Sequence, residues 1–265
     1  MIDLHSHVLP GIDDGPATAR ESLEMGRIYK QAGYSRVVAT PHWILGTGWT
    51  PTPSEIANQV DTLNQRLKQD KISLEVLPGM EVALDPELPA ALDEGKLQPL
   101  GETSCLLLET PYQMLPLGWQ RIFFAIKSRG YAVLLAHPER CAQLAENPQM
   151  INAFLELDIY MQVNWDSFLG YQGRDSAKLA RYMAAKGFIH CLATDSHDPH
   201  NRSPDSVKRA AVELERLIGS ENLRILAKEN PSRVLKNEAL VPMRQTAIHE
   251  TSGKIRPWLS WLKKH

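Results

Sequence analysis

The chain begins Met-Ile-Asp-Leu-His-Ser-His, which places Asp3, His5 and His7 within five residues. Other imidazoles and carboxylates sit in short punctuated motifs: Asp14 in Gly11-Ile-Asp-Asp-Gly15, His42 in Thr40-Pro-His-Trp43, Glu81 in Pro78-Gly-Met-Glu81, and then Glu109. His137 lies in Ala136-His-Pro-Glu-Arg140, and Asp195 and His197 in Thr194-Asp-Ser-His197. A single histidine beside a strand is ordinarily a surface or hydrogen-bonded residue. Here five of the nine histidines share this kind of setting, so the argument rests on the ensemble. Carboxylates crowded into one cavity raise one another's pKa unless cations neutralise them. Nitrogen and oxygen donors without thiolate suit manganese, iron, zinc or magnesium rather than a structural zinc knot, and the donors are too many for one ion. A multinuclear site activates water and clamps substrate oxygens, which suits hydrolysis, above all of phosphate esters. Arg140 and Arg202 stand three and five residues beyond His137 and His197. A planar guanidinium matches phosphate oxygens bidentately, so both are candidate phosphate grips; the alternative is ordinary loop arginines paired to local carboxylates.

These residues are far apart in sequence, so the elements must bring them together. Seven β-rich runs occur, at residues 2–5, 36–40, 74–78, 105–109, 132–136, 159–163 and 189–194. Most are continuous apolar runs, as expected of parallel strands covered on both faces. Amphipathic segments lie between them at 18–32, 53–69, 116–129, 175–186 and 206–218; Pro53 and Ser54 open one, and Gly33, Gly130 and Gly187 close others. The β-then-α order predicts a barrel or a doubly wound sheet. His5, His7, His42, Glu81, Glu109, His137, Asp195 and His197 all fall at the C-terminal ends of predicted strands. In a parallel barrel those ends form one rim, where active sites assemble from different strands. Asp14 can reach that rim from the first loop, while Asp13 supports the turn.

Composition narrows the partners. With 265 residues, 43% hydrophobic, one main domain is expected. Lys plus Arg number 29 against 31 Asp plus Glu, so bulk charge gives no reason to expect nucleic-acid binding. The cysteines Cys105, Cys141 and Cys191 are widely spaced and odd in number, which fits a reducing, cytoplasmic compartment. No signal peptide and no transmembrane run is expected. Phosphate-loop and nucleophile-elbow motifs are absent, and no cysteine is followed by arginine six residues on, as a thiolate phosphatase would require. Beyond residue 238 the periodicity fades into a tail, 239–265, that carries Trp258, Leu259, Trp261 and Leu262 beside Lys263 and Lys264. That tail is expected to dock on its own domain or to lie on an anionic membrane or a partner.

Together the motifs resemble the polymerase and histidinol phosphatase (PHP) family, and the longer opening from His5 to Pro16 resembles its CpsB/CapC/YwqE-type bacterial protein-tyrosine phosphatases. The resemblance covers residues 1–238. It implies a distorted (β/α)7 TIM-like barrel holding three divalent ions, usually manganese. It also implies hydrolysis of phosphotyrosine on a tyrosine kinase that regulates capsule or exopolysaccharide export. By position, His5, His7, Glu81 and Asp195 would hold one ion, Glu81, Glu109 and His137 a second, and Asp14, His42 and His197 a third, while Arg140 and Arg202 would hold the phosphate. Asp3, two residues before His5 in the first strand, is expected to orient a histidine rather than bind metal. Family members often carry a second histidine where this chain has Trp43, read here as an aromatic wall for a phenolic substrate or as a plug packing its loop. The rival readings are a phosphatase for a small molecule such as histidinol phosphate, and a metal-binding regulatory protein of the export complex.

Overall fold

A computed structural model describes residues 1–244. In chain order its elements are β1 (Ile2–Ser6), α1 (Ala19–Gln31), β2 (Arg36–Ala39), β3 (His42–Trp43), α2 (Pro53–Gln69), β4 (Glu75–Pro78), β5 (Glu81–Ala83), α3 (Leu88–Asp93) and β6 (Cys105–Glu109). There follow α4 (Trp119–Lys127), β7 (Ala132–Ala136), α5 (Ala142–Glu146), α6 (Ile151–Glu156), β8 (Tyr160–Asn164), α7 (Arg174–Lys186), β9 (Cys191–Ala193), α8 (Ser206–Arg224) and α9 (Asn230–Val234). The apolar runs have the predicted cause. Along β6 and β7, Leu106, Leu108, Val133 and Leu135 pack outward under the helices, whereas Cys105, Leu107, Leu134 and Ala136 pack inward with Leu4, Val38, Leu100 and Val234. Successive side chains point to opposite faces of a strand, and both faces here are covered.

All strand pairs are parallel, and they follow one another round a ring. β1 pairs with β2 and β2 with β4; β3 pairs with β5, and pairing then runs through β6, β7 and β8 to β9. The ring closes where the Asp195 amide donates to the His5 carbonyl at 3.0 Å and the His7 amide to the Ser196 carbonyl at 2.9 Å. The architecture is therefore a distorted seven-fold parallel α/β barrel. Two of the seven expected strands are each broken in two, at Thr40-Pro41 and at Gly79-Met80, and the breaks lie side by side. Proline cannot donate to the ladder. Gly79 has no room for a side chain, since a Cβ there would lie 2.5 Å from Val38 Cγ1 and 3.2 Å from the Ala39 carbonyl. The Glu81 amide donates to the Pro41 carbonyl at 3.0 Å, so pairing resumes immediately after the break.

The helices begin on sequence-legible caps. Thr18 with Glu21 and Thr52 with Glu55 form reciprocal capping boxes on α1 and α2, with Pro53 at the first helical turn. At the far end, the backbone beyond α9 is held by paired hydrogen bonds to two asparagine side chains. Asn230 bonds both the amide (2.8 Å) and carbonyl (2.9 Å) of Val241, and Asn222 does the same for Arg244 at 2.7 and 2.9 Å. Trp258, Leu259, Trp261 and Leu262 lie outside the described residues. Among the described residues no helix is long and apolar enough to cross a membrane.

Candidate metal centre

The rim residues converge on Glu81. Its Oε1 lies 2.9 Å from His137 Nε2 and 3.2 Å from His5 Nε2, and its Oε2 lies 3.0 Å from His42 Nδ1 and 3.2 Å from His7 Nε2. Asp195 faces the same histidines, 3.4 Å from His5 and 3.6 Å from His7. On one flank Glu109 stands 3.7 Å from His137. On the other, Asp14 reaches from the β1–α1 loop to His197 at 3.2 Å and His42 at 3.4 Å. All nine expected donors are thus in one cluster, and all but Asp14 are buried. His42 and Glu81 follow β2 and β4 as expected and, after the paired breaks, also open the short strands β3 and β5. His137 (φ 28°) and Asp195 (φ 51°) are held in left-handed backbone, uncommon away from glycine and asparagine.

The imidazoles are aimed from behind. The Asp195 carboxylate can only accept, so Asn164 must turn its Nδ2 toward it (2.9 Å), which leaves Asn164 Oδ1 for Gln162 Nε2 (2.7 Å) and Gln162 Oε1 for His5 Nδ1 (2.9 Å). That chain assigns the neutral-state proton of His5 to Nδ1 and turns the Nε2 lone pair to the cluster. His7 Nδ1 is held by Asp13 at 2.6 Å and His197 Nδ1 by the Asp195 carbonyl at 2.9 Å, with the same result. Asp13 also accepts from the Gly15 amide at 2.9 Å, so it supports the turn as expected and orients His7 as well. Gly15 must be glycine, because a Cβ would lie 2.6 Å from the His7 carbonyl. Asp3 touches no imidazole. Its carboxylate accepts from the Thr194 hydroxyl at 2.6 Å and from the His5 amide at 3.2 Å, so it ties the backbones of β1 and β9 together.

The electrostatics ask for cations. Burial opposes charge on Glu81, yet His5 and the other imidazoles hold it well below the usual carboxylate range. Burial would lower His5, but Glu81 and Asp195 outweigh it and lift its pKa to about 9. Burial and the charge of Glu81 raise Glu109, while burial and His7 lower His197 to about 4. Carboxylates this close together need positive charge beside them, from protonated imidazoles or from cations. Glu81 Oε2, Glu109 Oε1, Asp195 Oδ1, His42 Nδ1 and His197 Nε2 are buried and, although some lie close to one another, none makes a well-aligned hydrogen bond. Buried polar atoms are rarely left so. Donor atoms of His5, His7 and Glu81, of His42, Glu81 and Glu109, of His5, His137 and Asp195, and of His7, Asp14, His42 and His197 each lie within 4.8 Å of one another. The residues fit divalent ions.

Comparison with known proteins fits this geometry. Residues 1–236 match the family described as capsular polysaccharide synthesis, CpsB/CapC. The chain belongs to the CpsB/CapC family. It is 31% identical over 240 residues to the tyrosine-protein phosphatase YwqE of Bacillus subtilis, covering 91% of this chain and 93% of that one. It is 25% identical over 250 residues to the tyrosine-protein phosphatase CpsB of Streptococcus pneumoniae, covering 91% and 100%. A crystal structure from work on those two proteins, described as unique metal-dependent tyrosine phosphatases, matches with a TM-score of 0.86 at 31% identity over 91% of this chain and 97% of that one.

In this CpsB/CapC protein both arginines flank the cluster. Arg140 Nη1 and Arg202 Nη2 donate to the same Asp195 oxygen at 2.9 and 3.0 Å. Trp43 is no wall of the site. It follows His42 on β3 and so points to the opposite face, where it is 3% exposed in the outer core. The aromatics that do stand at the cluster are Trp49, stacked on His42 at 5.4 Å, and Tyr112, parallel to His137 at 6.5 Å. Gln162, Asn164 and Tyr112 were not picked out from sequence. The signal for the first two was available, as amides inside the otherwise apolar run Tyr160-Met-Gln-Val-Asn164.

Proposed function

We propose that this CpsB/CapC member is a divalent-metal-dependent protein-tyrosine phosphatase whose substrate is a phosphotyrosine-bearing protein, a tyrosine kinase of capsule or exopolysaccharide export. The observation that carries the reading is the set of buried, unpartnered donor atoms around Glu81 beside two arginines. In this reading one ion lies among His5, His7, Glu81 and Asp195, a second among Glu81, Glu109 and His137, and a third among Asp14, His42 and His197. Manganese is the metal expected. Divalent ions at these positions would polarise phosphoryl oxygens and lower the pKa of a coordinated water.

The chain's own residues do the rest. Arg140 and Arg202 each engage Asp195 through one nitrogen, which leaves the remaining donors of each fork for phosphate oxygens, where charge spreads in the transition state. The tyrosine leaving group has a pKa near about 10, so a strong general acid is less needed than for an alkyl ester. Residues 1–238 form the catalytic unit in this proposal. Residues 239–244 dock on the barrel through Asn230 and Asn222, and in this reading the protein works in the cytoplasm.

Manganese-loaded protein assayed side by side on a phosphotyrosine peptide, histidinol phosphate and single-stranded DNA tests the assignment. The phosphotyrosine peptide is expected to be the preferred substrate, with His137→Ala and Arg140→Ala each losing at least about a hundredfold in kcat/KM. Absence of phosphotyrosine hydrolysis by the loaded wild type would overturn it.

A further inference from the structure

Among the described residues, five of the nine large apolar side chains left exposed stand on two loops of the metal face, while Phe124, Tyr171, Val212 and Leu217 are scattered elsewhere. Leu45 and Trp49 follow β3, and Tyr112, Met114 and Leu117 follow β6. Scattered exposed apolar residues need no explanation, but a group beside a polar cluster does. Trp49 and Tyr112 stand over different histidines of the cluster: Trp49 stacks on His42, which faces Glu81 Oε2, and Tyr112 lies parallel to His137, which faces Glu81 Oε1. Trp49 is 37% and Tyr112 47% exposed, so each backs onto an imidazole and keeps surface open to the mouth.

Both loops are pinned. The Ile44 amide donates to the Trp49 carbonyl at 2.8 Å, and the Ala142 amide to the Tyr112 carbonyl at 2.7 Å. The Leu115 amide donates to Gln143 Oε1 at 2.9 Å. Pinned aromatic rings recognise a ligand at low ordering cost. The Arg140 guanidinium also lies over the Tyr112 ring, 4.7 Å from its centre, while bonding Asp195. Tyr112 therefore joins the His137 side of the cluster to the arginine assigned to phosphate and is still half exposed.

Resting on the phosphatase reading above, we propose that Trp49 and Tyr112 are the specificity-determining residues of the site: two aromatic walls that select an aryl phosphate ester over an alkyl one, with Tyr112 also positioning Arg140. The phosphate is directed to the arginines and the ester's ring to the exposed surface of the two walls. A flat ring gains stacking on either wall that a serine- or threonine-type alkyl ester cannot.

The test compares wild type, Trp49→Ala, Tyr112→Ala and Tyr112→Phe, all manganese-loaded and checked for equal metal content. Calorimetric binding of phenyl phosphate and ethyl phosphate is measured beside hydrolysis of phosphotyrosine and phosphoserine peptides. Wild type is expected to bind phenyl phosphate about tenfold more tightly than ethyl phosphate, a difference of about 1.4 kcal/mol. Trp49→Ala is expected to lose most of that preference, chiefly through KM, without weakening ethyl phosphate. Tyr112→Ala should lose the preference and weaken both ligands through Arg140, and Tyr112→Phe should restore both effects. Equal binding of the two esters by wild type, or equal loss on both in Trp49→Ala, would overturn the inference whether or not the protein turns over. Aryl selectivity in binding without hydrolysis would leave the walls standing and sink the phosphatase reading.

Discussion

At the scale of single residues the cluster depends on groups that touch no candidate ion. Gln162 is fully buried and its amide orientation is set from Asp195 through Asn164, so His5 receives an acceptor at Nδ1 and presents Nε2 to the cluster. Gln162→Leu keeps volume and removes that acceptor. We expect a ten- to a hundredfold loss of manganese affinity, the usual effect of deleting a residue that orients a histidine ligand, with Gln162→Glu restoring much of it. Titration of metal-stripped protein with manganese, read by calorimetry, checks this, and unchanged affinity in Gln162→Leu would show that the relay does not orient His5. Sequence reading found the nine donors because their motifs are local. It passed over Gln162 because an amide in a strand declares nothing until its partner, 157 positions away in the chain, is beside it.

At the scale of elements, the departure that matters is the pair of breaks between β2 and β3 and between β4 and β5. The expected runs stop at Thr40 and Pro78 and leave His42 and Glu81 in loops; instead each opens a new short strand, with His42 paired to Glu81. Gly79 allows this by approaching Val38 and Leu100 more closely than any side chain permits. Gly79→Ala is expected to cost about 1–3 kcal/mol by overpacking, visible in denaturant unfolding, and to reduce manganese bound per chain by shifting Glu81. A variant with wild-type stability and full metal content would remove Gly79 from this account. Thr40-Pro41 and Pro78-Gly79 were legible as punctuation, but not that the two fall side by side and interrupt a sheet without ending it. The helix caps were easier, since Thr18 with Glu21 and Thr52 with Glu55 are interactions across three residues.

At the scale of the molecule, closing the barrel gathers Glu81, Glu109 and Asp195 into one largely buried cavity, an arrangement whose repulsion only cations or protons relieve. Bound metal should therefore stabilise the fold. A hundredfold excess of metal over its dissociation constant gives about 2.7 kcal/mol, so chelation should lower Tm by roughly 5–10 °C for a protein of this size. Glu81→Gln removes the central carboxylate and should show a much smaller drop on chelation. A wild-type Tm indifferent to chelator in scanning calorimetry would contradict the metal reading. The sequence by itself determined the alternation of elements, the apolar strands buried on both faces and which nine imidazole and carboxylate residues gather around Glu81, because each is written in local pattern or in a motif of a few residues. Only the tertiary structure decided which face each side chain meets. It put Trp43 in the core and Trp49 at the site, gave Asp3 to the backbone and Asp13 to His7, and seated Gln162 behind His5. Those outcomes follow from strand alternation and ring closure, which join residues far apart in the chain and leave no local trace.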